Sequence, residues 1–214
     1  MMKYRLVIFD WDGTVMDSVA RIVSSMEAAA RDCQLTVPTA AAVRDIIGLS
    51  LYKAFPILFG HLNEQETAAL VAAYRRHYME LNTTPTPLFA GAEELIKSLH
   101  QAGYLLAVAT GKYRVGLDAV LASTQLGGYF HATRGADQAL SKPNPLMLEQ
   151  ILAELKLTPA DAVMVGDSSY DLAMAQAIGM DRIGVTYGVH DAATLCQHTP
   201  IALIDDVREL KNWI

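Results

Sequence analysis

Short apolar runs recur along the chain, separated mostly by stretches in which apolar residues return every three or four positions. The runs predict strands at residues 5–9, 104–110, 131–134, 162–165, 182–186 and 202–204. Helical periodicity predicts helices at 92–101, 114–124, 145–156, 169–178 and 192–198 between them. Strand runs that are apolar on both faces and alternate with helices imply a parallel sheet covered by helices on each side. The connection lengths suit right-handed crossovers. The expected fold class is therefore α/β, a Rossmann-like doubly wound parallel sheet.

The first crossover breaks this rhythm. Between the strand ending at Phe9 and the helix starting at Ala92, the chain shows no convincing strand and reads as helix throughout. Asp17 or Ser18 can cap a helix over 19–34, and Thr39 one over 40–47. Asn63 with Glu66 makes a capping box for 64–81. The tract Thr83-Thr84-Pro85-Thr86-Pro87 then excludes helix and reads as a stiff linker. The expected organisation is an all-helical insert at 16–85 within a core formed by 1–15 and 86–214.

Composition narrows the function classes. Of the 214 residues, 52% are hydrophobic and 19% charged, which excludes a disordered chain. The net charge of −6 and scattered lysines and arginines argue against nucleic-acid binding, which needs a basic surface. The apolar run near the start ends at Asp10, too short for a signal-peptide core, and no stretch approaches the ~18 apolar residues of a membrane span. Cys33 and Cys196 lie far apart and match no metal or redox spacing. A cytoplasmic protein is expected, without nucleic-acid or membrane partners.

In an open parallel sheet, ligands bind at the carboxyl ends of the strands, so the polar residues just after each strand carry the chemistry. The first strand runs into Asp10-Trp11-Asp12-Gly13-Thr14. Two carboxylates leaving a buried strand repel unless a cation or proton intervenes, although turn aspartates are also common. The second strand ends in Thr110-Gly111-Lys112, where a hydroxyl and an amide can face a phosphate oxygen or simply make a turn. Lys142 precedes Pro143-Asn144-Pro145 and can enter the crevice or stay solvated. The fourth strand leads to Gly166-Asp167-Ser168-Ser169-Tyr170-Asp171, whose acids also suit a helix N-terminus. Each motif alone is ambiguous; their joint arrival on one sheet edge points to a site.

The order Asp-x-Asp-Gly-Thr, Thr-Gly, Lys-Pro and Gly-Asp-Ser-x-x-Asp resembles the haloacid dehalogenase superfamily, over essentially the whole chain. The insert resembles the helical cap of the subgroup containing phosphoglycolate phosphatase and β-phosphoglucomutase. That resemblance implies that Asp10 is the nucleophile and Asp12 the general acid and base. It implies Mg²⁺ held by Asp10, the backbone carbonyl of Trp11 beside Asp12, and Asp167, with Asp171 behind them or ligating through water. Thr110, Gly111 and Lys142 would hold the phosphoryl group, while Lys112 is expected at the surface. Trp11 replaces the aliphatic residue usual there, and its indole is expected near the cap hinge.

Within the insert, residues 47–51 resemble the family's specificity loop, which places Gly48 and Ser50 near substrate. Arg44 and Lys53 are candidates to neutralise a carboxylate or second phosphate. Leu51 and Ile22 stand where the mutase pattern has arginine and histidine, which favours hydrolysis over a phosphosugar mutase. The resemblance thus implies a phosphatase acting on a small phosphorylated metabolite such as phosphoglycolate. A receiver-like phospho-acceptor module shares the acids, Thr, Lys and Mg²⁺, but such modules lack a large helical insert.

Overall fold

The computed structural model describes residues 3–214. Six parallel strands, β1 (Leu6–Phe9), β2 (Leu105–Ala109), β3 (Ala132–Arg134), β4 (Ala162–Gly166), β5 (Asp181–Val185) and β6 (Ala202–Ile204), form one sheet. Their order is β3-β2-β1-β4-β5-β6, so strand order reverses between β1 and β4, the place where such sheets open a binding crevice.

Side-chain alternation explains the layers. Leu6 and Ile8 of β1 face one core with Met164, Met147 and Ile151, while Val7 and Phe9 face another with Val108, Val165 and Leu95. Five helices cover the sheet: α5 (Ala92–Gln101), α6 (Arg114–Thr124), α7 (Leu146–Leu155), α8 (Ser169–Ala177) and α9 (Ala192–Cys196). They follow the periodicity closely, with ends within two residues of expectation. A 3₁₀ segment, Val207–Asn212, closes the chain against α5.

Between β1 and α5 lie α1 (Val19–Asp32), α2 (Ala40–Asp45), α3 (Leu51–Phe59) and α4 (Glu64–Arg76), around their own core of Met26, Val43, Phe55 and Leu70. The chain enters and leaves this segment through paired stretches: Asp17 N–H donates to the Pro87 carbonyl, and Phe89 N–H to that of Val15. Thr39 caps α2 and Asn63 with Glu66 boxes α4, as expected. Two features depart from the sequence reading. Helix α3 contains Pro56, which is exposed; lacking an N–H, it leaves the carbonyl of Tyr52, four residues earlier on the exposed side, without its helical donor. The expected helix over 64–81 also changes character at Arg76, continuing as a π turn, His77–Leu81. Such turns are frequent at functional sites. Among the described residues, no helix is long and apolar enough to cross a membrane.

Candidate active site

The site begins where β1 ends. Asp10 N–H donates to the Val165 carbonyl of β4 (2.9 Å), which fixes the aspartate at the strand-order reversal. The chain then turns, and Gly13 has φ +88°. A Cβ at Gly13 would stand 2.1 Å from Asp167 Oδ2, so only glycine lets the ends of β1 and β4 approach this closely. The Trp11 carbonyl accepts from the N–H groups of Thr14, Val15 and Met16 at 3.0 to 3.3 Å, which closes the turn. Its expected role as a metal ligand is therefore corrected: the turn has taken that oxygen. The Asp12 carbonyl receives no N–H among the described residues and is the free backbone oxygen of the turn. The Trp11 indole is fully buried, edge-on to Phe130, in the cluster that also holds Val15, Met16 and Leu88 where the chain enters and leaves the insert, and it does not line the cavity.

Three buried carboxylates converge. Asp10, Asp167 and Asp171 each bring one oxygen within 4.8 Å of the others. Lys142, whose side chain is fully buried, stands 2.6 Å from Asp10 Oδ1 and 2.5 Å from Asp171 Oδ1. Asp171 has its other oxygen engaged by Ser168, through the hydroxyl (2.6 Å) and the backbone N–H (3.1 Å). Asp167 accepts from Thr14 Oγ1 and from Val189 N–H, both at 2.9 Å.

One ammonium cannot balance three acids. Burial pushes the Asp10 carboxyl well above its ordinary range; Lys142 opposes this, and Asp171 and Asp167 add to it. Burial, and then Asp171, push Asp167 up to about 7. Burial alone would depress Lys142, but Asp10 and Asp171 outweigh it and hold the ammonium above the usual lysine value. A set of close carboxylate oxygens carrying excess negative charge fits a hard divalent cation such as Mg²⁺.

That fit has a measurable consequence. Asp167 is raised in the fold, so the stability it contributes is complete at low pH and is lost as pH rises through about 7. A divalent cation should offset that loss while competing with the proton. The rise in melting temperature on adding MgCl₂ is expected to grow from about pH 5.5 to about pH 8, and a rise that does not depend on pH would contradict it.

Asp12 lies apart from that convergence. Its carboxylate accepts from Ser18 Oγ at 2.6 Å and pairs with Lys112 Nζ at 3.1 Å. Ser18 starts α1, but its side chain makes no cap, because the hydroxyl is committed to Asp12. Lys112 is corrected from the surface to the interior. Its side chain is 9% exposed, and its ammonium also donates to Tyr78 OH (3.2 Å) on the π turn. Burial opposes its charge, but Asp12 and Tyr78 together keep Lys112 above its usual value.

A cavity of about 340 Å³ opens between this edge and the helical insert, and Asp10, Asp12, Thr110, Gly111 and Gly48 all border it. Thr110 is buried at the end of β2, and its hydroxyl accepts from Lys112 N–H (3.2 Å). Ser50 does not line the cavity. Its N–H donates to Ser141 Oγ (2.9 Å), docking the insert loop on the residue before Lys142. Arg44 and Lys53 are also outside it: both are exposed, and Arg44 reaches toward the Gly188 carbonyl.

A Cβ on Gly111 would stand 2.5 Å from the Gly48 carbonyl oxygen, so the insert loop closes directly on the β2 end. Gly111→Ala is expected to hold the loop off and cut kcat/KM by roughly 10- to 100-fold, since misplacement of about 1 Å carries that cost. Its melting temperature should change little; unaltered kinetics would show that this closure is irrelevant to turnover.

The sequence offers Asp17 or Ser18 as the cap of α1, whereas the Ser18 hydroxyl serves Asp12, and it assigns no role to Thr14 or Tyr78. Thr14 lies in the quoted Asp-x-Asp-Gly-Thr run, so a signal was present; Tyr78 depends on the π turn, which leaves no periodic trace.

A family model described as haloacid dehalogenase-like hydrolase matches residues 7–185. The chain is 38% identical over 209 residues to the probable phosphatase IndB of Dickeya dadantii, covering 96% of this chain and 91% of that protein. It is 28% identical to a phosphoglycolate phosphatase of Vibrio vulnificus, covering 99% and 96%. The crystal structure of a predicted phosphatase from Clostridium acetobutylicum superposes with a TM-score of 0.87 at 27% identity, covering 99% and 98%.

Proposed function

The chain belongs to the haloacid dehalogenase-like hydrolase family, and on that premise we propose that it is a Mg²⁺-dependent phosphatase that hydrolyses a small phosphomonoester through an aspartyl-phosphate on Asp10. The observation that carries the reading is the convergence of Asp10, Asp167 and Asp171, with Lys142 bridging Asp10 and Asp171, where Asp10 opens on a cavity that Asp12 and Thr110 also border.

Asp10 attacks phosphorus, forming a bond from its carboxylate oxygen while the bond to the leaving alkoxide breaks. Lys142 holds the attacking carboxylate and balances charge that builds on the phosphoryl oxygens. Thr110 and the Gly111 amide bind the same oxygens from the β2 side. Asp12, positioned by Ser18 and Lys112, gives a proton to the departing alkoxide. It then takes a proton from the water that attacks the aspartyl-phosphate and restores Asp10. Asp10 and Asp167 would hold the cation, with Asp171 anchoring Lys142 behind them. When bound, Mg²⁺ supplies positive charge that lets Asp10 approach an anionic phosphoryl group.

Hydrolysis is favoured over phosphoryl return to a sugar because Ile22 and Leu51 present hydrocarbon to the cavity, where a second phosphate would need donors. The relatives named phosphatases agree with that preference. The experiment is multiple-turnover phosphate release from simple phosphomonoesters with MgCl₂ and with chelator. Release that stops at one equivalent would instead support a phospho-acceptor module.

A further inference from the structure

The wall opposite the carboxylates is hydrocarbon and aromatic: Ile22, Met26, Ile47, Leu49, Tyr74 and Tyr78. Tyr74 and Tyr78 stack with ring centroids 5.8 Å apart and planes at 27°. Burial raises both phenols, which keeps them neutral. Among the described residues, two cations border the cavity, one buried and paired, the other exposed. Lys112 is held by Asp12 and Tyr78. Arg75 lies over the Tyr113 ring, 4.9 Å from its centroid. Glu80 adds a negative charge to the rim.

We infer that this cavity selects a phosphomonoester whose leaving alcohol is uncharged and has an apolar body of ring size, and that it disfavours a second anion such as the carboxylate of phosphoglycolate. The inference rests on the phosphatase reading for the placement of the phosphoryl end. The rest of the substrate must then lie against the insert. A carboxylate there would surrender its water to Ile, Met and Leu side chains without gaining a buried, unpaired cation, since Lys112 is already paired with Asp12 and Arg75 is exposed. It would also face Asp12 and Glu80. A ring instead covers the apolar wall and can lie edge or face to the tyrosine pair. The volume, about 340 Å³, sits at the small end of ligand pockets and exceeds what a two-carbon acid needs beside its phosphoryl group.

The test uses binding, so that it stands apart from turnover. Calorimetry on the full-length wild-type protein with MgCl₂ compares 2-phenylethylphosphonate with 3-phosphonopropionate, non-hydrolysable counterparts of benzyl phosphate and phosphoglycolate. The expected result is a Kd at least tenfold lower for the phenyl compound. Arg75→Gln should leave the ratio within threefold. Equal or tighter binding of the carboxylate compound, binding of neither, or selective loss of the carboxylate compound in Arg75→Gln would overturn the inference. Failure of the phosphatase reading would register separately, as absence of phosphate release.

Discussion

Asp10→Asn is expected to retain the wild-type circular-dichroism spectrum while phosphate release falls by ~10³-fold or more, the scale seen when a covalent nucleophile is removed. The amide has nearly the same shape, so packing between β1 and β4 should survive. Burial disfavours ionised Asp10, Lys142 favours it, and Asp171 and Asp167 disfavour it; the neutral amide relieves the burial cost and the repulsion, while Lys142 keeps Asp171 as its charged partner. The variant should therefore be at least as stable as wild type in the absence of metal. Loss of turnover without loss of stability separates a chemical role from a structural one. Near-normal turnover would remove Asp10 from the mechanism.

Lys142→Met should damage both stability and activity. The thioether replaces most of the buried stem but leaves Asp10 and Asp171 without their shared ammonium. Removing one partner of a buried ion pair costs about 3–5 kcal/mol, mainly because the remaining charge stays uncompensated. Urea unfolding should show a loss of that size, with phosphate release down ~100-fold or more from lost charge stabilisation. Adding Asp171→Asn should recover much of the stability, since one stranded charge disappears, but not the turnover. If the double variant regains both, Lys142 acts on the fold alone.

All six strands and the five helices that cover them were legible because each carries a periodic pattern imposed by burial on the sheet. The acids and Lys142 were legible for a related reason: a parallel sheet delivers whatever follows its strands to one edge, so Asp10, Asp167 and Thr110 had to meet there. Contacts from the insert were hidden. Lys112 looked solvated because nothing local shows that Tyr78 will close over it from a π turn 34 positions away in sequence. Ser18 has the composition of a cap, and only the folded turn gives its hydroxyl to Asp12. The Trp11 carbonyl was misassigned because the three N–H groups that take it depend on how the chain turns at Gly13.

The most direct measurement is mass spectrometry of acid-quenched Asp12→Asn protein after incubation with 4-nitrophenyl phosphate and MgCl₂. This variant retains the proposed nucleophile but lacks the group that protonates an alkoxide and then activates water; because 4-nitrophenolate departs without a proton, only the second step is slowed and the intermediate should accumulate. The account predicts one phosphoryl group on the tryptic peptide spanning residues 6–21, localised to Asp10. Phosphate release with that peptide unmodified, or a phosphoryl group on any other residue, would contradict it.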